Sequence, residues 1–389
     1  MHGLHRIALK TIISLILLAL ASATAPAADV VVPRFSIISR GTVQEGSFVL
    51  DSRADVDVAL EGGYKFGGNL TFSFESDRLE EDATLPESYD AAAVSERLSR
   101  TLLFESAGVT IRELFGAPMN MTYFSGRMGR FGTAQDFVDR FGTTDFNTHF
   151  QGYTTFPDSV AYEGLYQIEG TGISVGSSPL AETFVLTAYT YQDPRLGPGF
   201  YSSDLRFQAN SDFLKLDFFA GASYPQGSYG IYRAGLLSFI QTSSEGAVRG
   251  QFFTQLGSPQ LDPTSIGELS LEDFYFLFEP RLKFQSFSLL LTLFWHPDSY
   301  LQVDTGEGGA LDANIRAIFG NEKTSQFRGG LDTRMTYNPN ANQQLGLRVL
   351  PFLQVAASGI LWDIGIRARV YPFSLQESFD GTIGITTEF

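Results

Sequence analysis

The sequence contains no cysteine, so it offers neither a disulfide nor a thiolate ligand, and no lipid-modified cysteine follows the N-terminal leader. Histidine is almost as scarce. Of the four, His2 and His5 fall in the leader, leaving His149 and His296. His296, in Trp295-His296-Pro297, sits at the end of an amphipathic segment and fits an aromatic girdle. His149 lies near Asp145 in a long irregular stretch, an ordinary loop setting. There is no Gly-x-Ser-x-Gly, no metal-ligand spacing and no phosphate loop, so catalytic residues, cofactor and metal are all expected to be none. Beyond the leader no run of about eighteen apolar residues occurs, which removes any transmembrane helix.

Basic residues are in deficit too. The formal net charge is −16, and loss of Arg6 and Lys10 with the leader leaves 25 basic against 43 acidic residues, or −18. A nucleic-acid-binding surface needs the opposite sign, so nucleic acid is not an expected partner.

What is present is an export signal followed by distributed hydrophobicity. Arg6 and Lys10 precede the short apolar core Ile12 to Leu20, and small residues up to Ala28 supply a cleavage site. Residues 1–28 are read as a cleaved signal peptide and 29–389 as the mature domain. Hydrophobic residues make up 43% of the chain and aromatics 14%, with 35 Phe. Because no long apolar run holds them, they must be spread in alternation, as strands with one wet and one greasy face require. The 39 glycines suit tight turns and sheet curvature.

Amphipathic strand patterns recur at 56–66, 69–75, 183–191, 212–222, 231–241, 247–256, 271–283, 287–296, 327–337, 344–355, 360–371 and 379–389. Most have the 9–11 residues, roughly, that a tilted membrane strand needs. In 271–283, Phe274, Phe276 and Phe278 alternate with Tyr275, Leu277 and Glu279, which leaves the facing open. Counted back from the last residue, the connections alternate: the set containing 297–310 and 257–269 is longer than the set containing 285–286 and 356–359. The first half is less regular. Residues 78–105 are polar with a short helix expected around 91–100. Residues 128–159 form a Gly/Phe/Asp-rich interruption in which 133–139 could make a helical turn.

The last eleven residues alternate most cleanly. Phe379, Gly381, Ile383, Ile385, Thr387 and Phe389 share one phase, and the chain finishes on an aromatic. This resembles the C-terminal assembly signal of bacterial outer-membrane barrels, with Phe379, Ile383, Ile385 and Phe389 as its apolar positions. The whole mature chain resembles that superfamily, and its porin-like branch best. Ser125-Gly126-Arg127-Met128-Gly129-Arg130-Phe131-Gly132 is similar to the passage leading into a porin constriction loop.

The resemblance implies an all-β, antiparallel up-and-down transmembrane barrel of about sixteen strands (14–18). It also implies a long connection folded inward at 128–159, with the terminal strand pairing with the first. Residues 29–55 are too short for the plug of an active transporter, and no domain is expected after Phe389. The expected function is passive diffusion of small hydrophilic solutes. Two alternatives remain: a barrel for hydrophobic molecules, or a closed surface barrel whose loops bind external ligands. Expected partners are outer-membrane lipid, the barrel-assembly machinery and small solutes, with a trimer open.

Arginine carries the site. The mature chain has 21 Arg against 4 Lys, and Arg233, Arg249, Arg328, Arg334, Arg348, Arg367 and Arg369 fall on the polar phase of strands. A guanidinium near the lipid midplane costs about 2–4 kcal/mol, so these side chains should face the lumen. They are either a lattice of Arg–carboxylate pairs using Asp332, Asp363 and Asp380, or a basic wall lining a water-filled pore. In the second reading Arg249, Arg334, Arg348, Arg367 and Arg369 line the pore, opposite Asp136, Asp139 and Asp145.

Overall fold

In the computed structural model, the described residues are 29–44, 47–62, 65–76, 102–131, 166–177, 183–194, 197, 199–224, 230–242, 248–261, 270–296, 310–321, 325–373 and 378–387. They form eighteen strands. The first nine are β1 (Asp29–Gln44), β2 (Ser47–Gly62), β3 (Phe66–Ser76), β4 (Leu102–Ile111), β5 (Met119–Phe131), β6 (Tyr166–Ser177), β7 (Phe184–Gln192), β8 (Tyr201–Asn210) and β9 (Leu214–Tyr224). The rest are β10 (Ile231–Gln241), β11 (Val248–Leu261), β12 (Tyr275–Phe284), β13 (Phe287–His296), β14 (Ala310–Phe319), β15 (Phe327–Tyr337), β16 (Leu345–Ala357), β17 (Ile360–Tyr371) and β18 (Phe379–Thr387).

Each strand pairs antiparallel with the next in sequence. β1 also pairs with β18, from Phe35 opposite Thr387 to Thr42 opposite Asp380, so every strand has a neighbour on both edges. Backbone groups therefore find partners all round the sheet, as a bilayer interior demands.

The alternation turns a soluble protein inside out. On β8, Ser202, Asp204, Arg206 and Gln208 are buried while Tyr201 and Leu205 are exposed. On β12, Tyr275, Leu277, Glu279, Arg281 and Lys283 are buried and Phe278, Leu282 and Phe284 exposed. That settles the facing of 271–283: the phenylalanine phase points out. Fully burying one such side chain is worth about 1.5–3 kcal/mol over leaving it in water. An outer surface carrying dozens of them is stable against lipid, not against water.

Aromatics mark the edges of this band. At one rim stand Phe66, Phe184, Phe213, Phe284, Phe319 and Phe327; at the other, Tyr201, Tyr224, Tyr232, Tyr337 and Tyr371, all exposed. From Phe213 to Tyr224 the chain rises ~36 Å along the strand at about 3.3 Å per residue. At a tilt of about 40° that is ~27 Å, close to the roughly 25 Å apolar band of outer-membrane barrels. Connections at the phenylalanine rim are all short, whereas the tyrosine rim carries 77–101 and 132–165.

Expected and observed strands agree to the residue at 231–241, 287–296, 327–337 and 360–371. The segment 56–66 does not survive as one strand: β2 ends at Gly62 and Phe66 begins β3. Residues 271–273 are a 3-10 turn before β12, and 128–131 and 102–105 belong to β5 and β4. Residues 29–55 supply β1 and half of β2, taking the strand count to the top of the expected range. The expected helical turns at 91–100 and 133–139 lie outside the described residues.

Candidate functional site

The inner wall of β14–β17 holds a row of arginines. Pairing sets Arg334 opposite Asn314 on one side and Arg348 on the other, and Arg348 opposite Arg369. Arg334 is buried, with its Nε 3.9 Å from Asp312 Oδ1, while Arg348 and Arg369 are half-buried. Alternation alone puts these three on the polar phase. Only the register, including a shift between Leu347 and Arg348, places them side by side. Like charges directly opposite disfavour a strand pairing, so the register sets these three guanidinium groups side by side at a cost.

Their neighbours lie closer to carboxylates. Arg316 donates from Nε and Nη2 to Asp332 Oδ2 at 2.9 and 2.8 Å, and Asp332 also accepts from Asn314. Arg367 donates to Asp380 Oδ2 at 2.9 Å through Nε, with Nη2 on the same oxygen. Asp363 accepts from Gln354. One wall thus holds the Arg316–Asp332, Arg334–Asp312 and Arg367–Asp380 ion pairs together with the Arg334, Arg348 and Arg369 row. Arg249 is half-buried on the inner phase of β11, directly opposite Lys283.

The wall of β5–β13 is packed. Phe124, Phe131, Ile168, Tyr191, Phe219, Phe239 and Phe253 belong to one buried cluster, with the Phe131 and Phe219 rings 4.4 Å apart. Guanidiniums lie over its rings: Arg206 over Phe131 at 5.0 Å and Arg233 over Tyr166 at 4.2 Å. Arg233 donates to Asp204 through Nε (2.6 Å) and Nη2 (2.8 Å) and to Ser223 Oγ through Nη1 (2.6 Å). Ser223 contacts Ser202, which donates to Asp193; Tyr166 donates to Asp193 and contacts Tyr191. This network ties five strands, β6–β10, together. Arg206–Asp217 and Arg281–Glu279 are further buried pairs, Glu279 also accepting from Thr292.

Of these, only Arg233 was visible beforehand as a polar-phase residue. Its partners lie up to 42 positions away, and nothing local announces them.

Two bulges interrupt the wall between β3 and β6. The register slips at Thr71/Phe72 and at Arg127/Gly129, and Gly126 takes φ +94. Between them Arg127 Nη1 donates to both carboxylate oxygens of Glu105 at 3.0 Å. Phe379 and Ile383 of the terminal strand face outward and are exposed, with Ile385 half-buried on the same phase. Asp136, Asp139, Asp145, His149 and Phe389 lie outside the described residues, and His296 closes β13. Among the described residues no cluster of three or more His, Cys, Asp or Glu could hold a metal.

No protein-family model and no curated protein matches the sequence. Solved structures match in fold. OccAB2 of Acinetobacter baumannii is 12% identical with a TM-score of 0.51, over 93% of this chain and 98% of its own. OccD3 (OpdP) of Pseudomonas aeruginosa is 10% identical with a TM-score of 0.50, over 95% of this chain and 93% of its own. A mutant Rh. blastica porin is also similar, at 9% identity and a TM-score of 0.44, over 93% of this chain and all of its own. The chain shares the fold of OccAB2 and OccD3.

Proposed function

We propose that this chain is an outer-membrane channel through which small hydrophilic solutes diffuse passively, delivered there after removal of residues 1–28. The observation that carries the reading is the Arg334–Arg348–Arg369 row on the inner wall of a barrel whose outer surface is apolar. Barrels of sixteen to eighteen strands are wide enough to leave an aqueous channel. Charge exposed on the inner wall of such a channel selects among ions, and here it favours a weak anion preference. The channel works by shape and field, without covalent chemistry, so no enzyme activity is assigned.

The apolar cluster of β5–β13 lends some weight to transport of hydrophobic molecules. Its members are at most 8% exposed, however, so they act as packing and not as an open greasy track. Single-channel recording in planar bilayers tests the proposal. A steady conductance from refolded protein supports it, and a correctly refolded barrel that never conducts overturns it.

A further inference from the structure

The outer face of the barrel is not uniformly apolar. On β9–β17 the described residues of the outward phase include no charge, and the hydroxyls there, Ser238, Thr254 and Thr333, are half-buried between larger apolar neighbours. The outward phase of β4–β8 differs. Ser125 and Thr171 stand opposite each other with their hydroxyl oxygens 3.0 Å apart, and Thr190 and Ser203 do the same at 3.3 Å. Thr171, Thr190 and Ser203 are exposed.

Beside them, charge also points outward. The slip at Thr71/Phe72 leaves Glu105 as an extra residue beside the exposed Phe104. Arg127 follows Ser125 on the outward phase and lies opposite Glu169, whose neighbour Ile168 is buried on the inner side. Among the described residues Arg127 reaches Glu105 through Nη1 alone, and Glu169 makes no ion pair.

Depth limits what can cover this polar window. Ser203 lies two positions inside the rim residue Tyr201, ~5 Å deeper at about 3.3 Å per residue and a tilt of about 40°. The residues two positions inside Tyr224, Tyr232 and Tyr337 are Ala222, Ala234 and Met335. Girdle tyrosines sit at the level of the lipid head groups, so the Ser203 and Thr190 hydroxyls lie below them among acyl chains. Two paired hydroxyls share one donated hydrogen, which leaves the pair a second donor that hydrocarbon cannot satisfy.

We infer that a second copy of this chain docks on this window, the two barrels standing side by side about a two-fold axis along the membrane normal. The bilayer holds both copies at one depth and in one sense, so the window of one meets the same window of the other. Apolar faces gain little by meeting in lipid, because acyl chains already cover them; association follows close packing and hydrogen bonds across the contact. Short hydroxyl side chains serve both, letting the walls approach and supplying donors. Arg127 of one copy and Glu169 of the other are complementary, and the two-fold axis makes that contact twice. This surface lies outside the lumen and goes beyond the channel reading.

Cross-linking of the refolded barrel in lipid vesicles tests the inference. The chain has no cysteine, so single introduced thiols report without background. Under a short bis-maleimide, Thr171→Cys should give a covalent dimer at a protein density where Ile315→Cys, exposed on the outer face of β14, gives none. Ser125→Leu, Thr171→Leu, Thr190→Leu and Ser203→Leu combined, all changes suited to lipid, should weaken association about tenfold or more. The readout is the dilution at which the dimer mass disappears in detergent, with heat-modifiable gel mobility showing that the barrel is folded. Equal cross-linking of the two cysteine variants, an unchanged dimer in the leucine variant, or a wild-type barrel that stays monomeric would each overturn the inference. So would a monomer that loses a co-purifying lipid when the leucines are introduced, since a lipid would then be the occupant. None of these readouts uses conductance, so the channel reading stands or falls separately.

Discussion

Arg348 on β16 stands directly opposite Arg334 on β15, two like charges made neighbours on one inner wall by the sheet register. Arg369 extends the row on β17. Carboxylates neutralise Arg316 and Arg367 close by, so the lattice and the strip share the same strands. Substitutions at these positions should therefore sort into two kinds.

The strip should control ion selectivity. One unit charge about 5 Å away in water is worth ~0.8 kcal/mol, roughly a fourfold change in local ion concentration. Arg348→Glu with Arg369→Glu should shift the reversal potential under a salt gradient toward cations, with the barrel still assembling. An unchanged reversal potential would show that the strip does not line the conducting path.

The lattice should control stability. Breaking a buried ion pair from one side typically costs about 3–5 kcal/mol, whereas replacing both members by apolar residues is often neutral. Asp204→Ala and Arg367→Met should each lower the urea midpoint of the refolded barrel markedly. The double variant Asp204→Leu/Arg233→Met should recover much of the first loss, since Arg233 is no longer left as an uncompensated buried charge.

Gly126 should be irreplaceable. It holds φ +94, and a Cβ there would come within 2.2 Å of the Glu105 carbonyl oxygen. Strain at such positions is on the order of 1–3 kcal/mol before the clash is counted. Gly126→Val should cut the yield of refolded barrel sharply, while Gly381→Ala, with nothing within 4 Å, should be tolerated.

Position in the apolar band should grade the cost of an outward charge. Ile366, 58% exposed in the middle of β17, should lose about 2–4 kcal/mol on change to Arg, but Tyr371 at the rim only about 0–1. Unfolding from lipid vesicles in denaturant would measure the difference. Equal costs would mean that the band is misplaced.

Phe389 should govern assembly, not export. Its deletion is expected to lower the amount of barrel in the outer membrane while the processed chain still accumulates in the periplasm. Normal assembly of the truncated protein would rule out the assembly-signal role.

The sequence by itself determined the class of the fold. Period-two alternation without a long apolar run leaves a barrel as the only way to satisfy the backbone in lipid, and 231–241, 287–296, 327–337 and 360–371 could be delimited to the residue. In those strands the two faces differ sharply in polarity, and turn residues flank both ends. Where alternation is weak, as at 56–66 across Gly62-Gly63, the boundary was lost. The same happened at 102–105 and 128–131, where bulges shift the phase. Facing at 271–283 was undecidable because both phases are apolar, and only the packed interior chose Tyr275 and Leu277 for the inside.

The tertiary structure decided which carboxylate each arginine meets and which arginines stand side by side. Alternation places a side chain on a face but says nothing about register. Sliding one strand by two residues keeps every face and changes every partner. That is why Arg367 and Arg369, two positions apart on one face, ended in different roles. Arg367 came to rest against Asp380, and Arg369 opposite Arg348.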